Sequence, residues 1–162
     1  MKPDVQKNDV HVIINDWERM FIGEAKCYDS EGKMLWIIPA ICKGVNGPRW
    51  DVWGGDTPPG LYVAGVLYET KGNEPWNVWS SYGKWCFDLV EMEGQEAKHG
   101  RAGICWHGGD PDRTPPLQQM QQLTETYGCV RSHNHDLDEI VVPTYRRVIA
   151  QSGRMWITVN QL

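Results

Sequence analysis

The chain reads as one mainly β domain with short helices, and three observations predict this. Short runs rich in Val, Ile, Tyr and Trp recur between clusters of Gly, Pro, Asn and Asp, the pattern of strands joined by turns. Convincing helical signals begin only at Thr114. The 162 residues, 41% hydrophobic and 23% charged, suffice for one folded core, and no repeat, low-complexity tract or linker divides residues 1–162.

In chain order, a polar leader (1–9) precedes a strand over Val10–Asn15. Arg19–Tyr28 and Lys33–Ile38 form a hairpin around Asp29-Ser30-Glu31-Gly32, where Gly32 can supply positive φ. Pro39–Gly44 continues extended, and Gly47-Pro48 and Gly54 to Gly60 punctuate the stretch before the next strand. Leu61–Tyr68 and Trp85–Val90 read as strands, with Glu69–Lys84 between them as a polar, Trp-bearing loop. Gly103–Trp106 is a short buried strand ending at His107. A helix is expected from Thr114, a fair N-cap, through Pro115, Leu117, Met120 and Leu123. A second covers Asp136–Ile149, with acids in its first turn and Pro143 as a kink, and Met155–Val159 closes the chain as a strand.

Composition excludes several classes. A net charge of −5 without any Lys/Arg run argues against nucleic acid. No apolar run approaches membrane-spanning length, so no membrane insertion is expected. The polar N-terminus has no apolar h-region, and neither a secretion signal nor an anchor is expected in this chain. Five cysteines without a CxxC signal neither a zinc ribbon nor a thioredoxin-like pair, and free thiols suit folding in a reducing compartment. Nine tryptophans outnumber two phenylalanines; some of Trp50, Trp53, Trp76 and Trp79, set among Gly, Pro, Asn and Asp, are expected to line a surface groove.

The chemistry concentrates between Gly103 and Arg131. His107 precedes Gly108 and Gly109, and Cys129 follows Gly128, so a base and a thiol each sit beside glycine. Imidazole can take a thiol proton, and the thiolate is a strong nucleophile. Arg131 either holds that thiolate by charge or fixes the loop through carbonyls. The amides of Gly108, Gly128 and Cys129 are candidate oxyanion donors. Asp110, Asp112 and Arg113 come after His107 on a loop that could cover the cleft.

These pieces resemble the L,D-transpeptidase catalytic domain (YkuD-like). Thr57-Pro58-Pro59-Gly60-Leu61-Tyr62 resembles the family's Thr-Pro-x-Gly-x-(aromatic) start of a strand. Gly103-Ile104-Cys105-Trp106-His107-Gly108 resembles its apolar strand ending in His-Gly. Thr126-Tyr127-Gly128-Cys129-Val130-Arg131 resembles its (Ser/Thr)-His-Gly-Cys-(apolar)-(Asn/Arg) signature, and Asn134-His135-Asp136 the tail beyond it. The resemblance implies a β-sandwich with Cys129 as nucleophile, His107 as base and the Gly108 carbonyl orienting the imidazole. Tyr127, Gly128, Arg131 and Trp106 would contact the substrate or its oxyanion. The implied target is the bond between diaminopimelate and D-alanine in a peptidoglycan stem peptide, attacked through an acyl-enzyme that water or an amine resolves. No metal or organic cofactor is implied, a monomer is expected, and the place of action is the periplasm or cell wall. A phage lysis protein or an injected toxin fits these features as well as a wall enzyme.

One departure stands out: Tyr127 occupies the position of the family's usual His. His133 or His135 could fold back to replace it, and hydrolytic relatives without that His tilt the reading toward cleavage. Two other readings stay open. Cys105-x-His107 and His133-x-His135, with Cys129, could supply zinc ligands, although the spacing fits no standard signature. Alternatively, the Tyr127 replacement and the many tryptophans suit a non-catalytic peptidoglycan-binding module.

Overall fold

Val10, Val12 and Ile14 are buried while His11, Ile13 and Asn15 are half-buried, and this two-residue period makes strand β1 (Val10–Asp16). The computed structural model describes residues 2–17, 22–71, 74–94, 96–110 and 112–162, without the side chains of Asn77 and Ala97. The same alternation runs through β2 (Gly23–Asp29); the other strands are β3 (Met34–Ala40), β4 (Gly60–Glu69), β5 (Trp85–Gly94), β6 (Cys105–His107), β7 (Val130–Arg131) and β8 (Met155–Gln161), whose first five residues are all buried. Arg19, Met20 and Phe21, the expected start of the second strand, lie outside the described residues.

All eight strands join one sheet in the order β3-β2-β1-β8-β4-β5-β6-β7. β1–β8 and β6–β7 run parallel, and the other neighbours run antiparallel. The sheet's two outer strands meet just beyond β3, where Ile41 and Arg131 exchange both backbone hydrogen bonds at 2.9 Å. The sheet therefore curls upon itself, and opposite parts of it supply the two layers of the expected sandwich. Its core holds Val12, Ile14, Tyr62, Phe87, Trp106, Val130 and Ile157.

A helical run fills the curl. It consists of α2 (Asn134–Asp136), a π turn (Leu137–Val141) and α3 (Val142–Ala150), with Leu137, Val141, Val142 and Val148 in the core. Pro143 has no N–H to donate four residues back, and the wider turn lies just ahead of it, with the Val142 amide reaching Leu137 O.

Two expectations need correction. The expected loop over Glu69–Lys84 contains a short helix, α1 (Trp76–Tyr82). The expected helix from Thr114 to Leu123 does not form. Asp110 accepts from the Gln118 amide, Asn134 donates to Gln118 O, and the His135 amide donates to Gln119 O. Those backbone groups are thus spent on the neighbouring loop and α2. Met120 is 62% exposed while Leu123 is buried, so the three-residue spacing marks no packed face.

Candidate active site

β5, β6 and the segment entering β7 place the chemistry on one face of the sheet. Register pairs Cys86 with His107, Asp88 with Cys105, and His107 with Arg131. Side chains alternate along each strand, so Cys105, His107, Cys129 and Arg131 share a face while Trp106 and Val130 point into the core. Trp106, expected near the substrate, is 0% exposed and donates from Nε1 to Ser132 Oγ at 3.0 Å. It belongs to the core and not to the cleft.

The cleft has a volume of about 320 Å³ and is lined by Cys129, His107, Tyr82, Tyr127, Arg113 and Arg131 among others. His107 is buried, and its Nδ1–H donates to Gly108 O at 2.7 Å. A carbonyl can only accept, so this bond fixes the tautomer and leaves Nε2 as the acceptor. The imidazole also lies edge-on to the Tyr82 ring, with centroids 5.0 Å apart. The His107 imidazole and the half-buried Cys129 thiol line this cleft together.

Cys129 rests as a thiol. Its hydrogen bond with the Cys105 thiol, and then burial, push it up to about 12, while His107 pulls the other way. The Cys105 amide donates to Cys129 Sγ at 3.4 Å, and the thiol approaches Gly103 O at 3.8 Å. For this sulfur to act as a nucleophile its proton would have to be taken up, and Nε2 of His107 is the acceptor that shares the cleft.

The loops around the pair are fastened by Arg131 and by two groups given no role in the sequence reading, Arg101 and Asn134. Arg131 donates to Gly108 O at 3.1 Å, Ser81 O at 3.1 Å and Thr124 Oγ1 at 2.7 Å, so of its two expected roles it takes the bracing of carbonyls. Buried Arg101 donates to Trp50 O, Val52 O and Asp56 O, and it reaches Tyr127 O. Its guanidinium lies so close to Gly128 that a Cβ there would collide with it. Gly128 also has φ +109°, so glycine is needed on both counts. Asn134 grips the His-Gly-Gly turn from the far side: it accepts from the Gly109 amide at 3.0 Å and donates to Gly109 O at 2.8 Å. The last carbonyls of α1 accept from the same turn, Tyr82 O from the Gly108 amide and Ser80 O from the Asp110 amide.

The oxyanion candidates separate accordingly. The Gly108 amide is committed to Tyr82 O, and the Gly128 amide to Thr126 Oγ1 at 3.0 Å. The Cys129 amide has no partner among the described residues. It is the one of the three left to meet an oxyanion.

The other expected participants divide between the cleft and its surroundings. His133 and His135 both hydrogen-bond Asp136, and neither turns toward Cys129. Among the described residues, no three His, Cys, Asp or Glu side chains group as a metal site. Asp110 is buried and ties the loop through the Asp112 and Gln118 amides, and both it and Arg113 line the cleft. Trp53 stacks on Tyr127 at 5.1 Å, Trp50 packs on His99, and Trp76 packs on Trp79; these tryptophans flank the cleft without lining it.

No family model matches the chain, and no curated protein matches it. Solved structures do. The helical cell shape determining protein Pgp2 of Campylobacter jejuni (K307A mutant) aligns over 97% of this chain and 49% of its own, with a TM-score of 0.55 and 18% identity. Bd1075 of Bdellovibrio bacteriovorus aligns over 92% of this chain and 47% of its own, with a TM-score of 0.54 and 16% identity. Mycobacterium tuberculosis L,D-transpeptidase 1 aligns at a TM-score of 0.40 and 13% identity, covering 93% of this chain and 62% of its own. The chain spans about half the length of Pgp2 and Bd1075, and what it shares with them is the fold.

Proposed function

We propose that this chain is a cysteine peptidoglycan enzyme of the L,D-transpeptidase type, acting at the wall on the L–D bond of stem peptides. The observation that carries this reading is the meeting, in one cleft, of the Cys129 thiol with a buried His107 whose Nδ1–H is held by Gly108 O. The motif resemblance supplies the substrate class, and likeness to a protein that determines cell shape is in keeping with a wall substrate.

In this mechanism Nε2 of His107 takes the thiol proton as Cys129 Sγ attacks the scissile carbonyl carbon. The resulting oxyanion faces the Cys129 amide. Collapse breaks the C–N bond, His107 returns the proton to the leaving amine, and a thioester remains on Cys129. Water or an acceptor amine, deprotonated by His107, then attacks the thioester and frees the sulfur. No step requires a metal or organic cofactor.

The test is digestion of defined muropeptides, with mass spectrometry of the products. Shortened stems mean hydrolysis, and cross-linked dimers mean transfer. Cys129→Ala is expected to abolish turnover while leaving the circular dichroism spectrum unchanged. Peptidoglycan binding without turnover by wild type and variant alike would replace this reading with that of a binding module.

A further inference from the structure

We infer that Cys105 is a resolving thiol for Cys129, so that oxidation of the cleft sulfur ends in a reversible Cys105–Cys129 disulfide. The β6–β7 register pairs Trp106 with Val130 and His107 with Arg131, and one step back along both strands sets Cys105 beside Cys129. Adjacent strands lie about 4.8 Å apart, inside the roughly 4.4–6.8 Å Cα separation that a disulfide spans. Alternation puts both thiols on the same face as His107. Contact is already made: the Cys105 amide donates to Cys129 Sγ at 3.4 Å.

Both residues are half-buried, Cys129 in the lining of the cleft, so small oxidants can reach them, and all five cysteines are free in this structure. Cys105 is placed to act as a thiol and not as a packed hydrophobe. Its Sγ approaches Asp88 Oδ1 at 3.7 Å and Gly103 O at 3.6 Å.

The oxidant is a hydroperoxide. His107 takes the Cys129 proton, and the sulfur attacks the distal peroxide oxygen. The O–O bond breaks, an S–O bond forms, and the proton leaves with the departing oxygen as water or an alcohol. The product is a sulfenic acid. Cys105 sulfur then attacks the sulfenyl sulfur, the S–S bond forms, and the hydroxyl leaves as water with the Cys105 proton. The two sulfurs have lost two electrons, and the peroxide has gained them. An external dithiol reverses the change by thiol–disulfide exchange. The disulfide would also occupy the sulfur needed for acyl transfer; that consequence rests on the proposed function, whereas formation of the disulfide does not.

The experiment treats the full chain with a few equivalents of hydrogen peroxide, alkylates free thiols, and maps peptides by mass spectrometry without reduction. The expected result is a linked pair of peptides containing Cys105 and Cys129, lost on treatment with dithiothreitol. In Cys105→Ser, Cys129 is expected to be trapped by dimedone as a sulfenic acid and then to advance to sulfinic and sulfonic acids that dithiothreitol does not restore. Sulfinic Cys129 beside a freely alkylated Cys105 in the wild type would overturn the inference, and so would a disulfide joining any other pair. Both readouts are masses, so they stand whether or not the protein turns over muropeptides.

Discussion

Tyr127 is the residue at which this chain departs most from the pattern it resembles. Its ring stacks on Trp53 and is 64% exposed, on the rim of the cleft, while its backbone carbonyl is held by Arg101. The backbone of the turn is thus fixed by Arg101 and Thr126, and the side chain is free to vary. Tyr127→His is expected to leave kcat/KM on muropeptides unchanged or higher, because only an aromatic stack of about 0.5–1.5 kcal/mol is given up. A sharp loss would assign Tyr127 a role of its own. That Cys129, His107 and Gly108 come together was legible in the sequence because each sits in a short glycine-marked motif. Trp106 was misplaced, although alternation along the strand puts it on the opposite face from His107. Cys105, by the same alternation, could have been found.

Among the elements, the His-Gly-Gly turn is clamped between α1 and the start of α2. Asn134 holds the turn from one side, and the last carbonyls of α1 hold it from the other. Gly108 leaves room for this clamp, since a Cβ there would collide with Asn134 Oδ1. Asn134→Ala leaves buried partners unsatisfied and is expected to cost about 2–3 kcal/mol by chemical denaturation. Because the imidazole is oriented through Gly108, kcat is expected to fall more than KM rises. An unchanged kcat would show that the turn holds itself. These contacts were not legible in advance, for they join segments whose sequences carry no sign of one another. β1 and β2 were legible because burial alternates along them, and β8 because its buried run is short and rich in Ile, Val and Trp. The helix expected after Thr114 was not there, because its backbone groups serve Asp110, Asn134 and the start of α2.

For the whole molecule, the bridge from Ile41 to Arg131 joins the sheet's two ends, and Ser132 Oγ adds a hydrogen bond to Pro39 O at 3.0 Å. Arg131 thus both closes the sheet and lines the cleft, a link that no local pattern in the sequence could announce. Near the cleft's supporting loop, Glu96 is buried with Oε2 lacking a partner among the described residues. Burial, and then Glu91, push its carboxyl up to about 7 from 4.5, with Arg101 pulling it back. The folded chain keeps this proton over a window in which the unfolded chain has lost it. Its contribution to stability is thus full below the unfolded value and drains away as pH rises through about 7. Glu96→Gln keeps the neutral form at every pH and is expected to stabilise the protein by roughly 2–3 kcal/mol near pH ~8. Near pH ~4 it is expected to change little. Equal effects at the two pH values would show that Glu96 does not titrate in this window.

The reading of the cleft as an acyl-transfer centre is tested most directly by trapping the acyl-enzyme. A carbapenem acylates the nucleophile of the L,D-transpeptidase type, and the adduct can be mapped by mass spectrometry of the intact protein and its peptides. The account predicts one adduct, on Cys129, slowed severely in His107→Ala and absent in Cys129→Ala. No adduct on the wild type, or one carried by Cys105 with Cys129 left free, would contradict it.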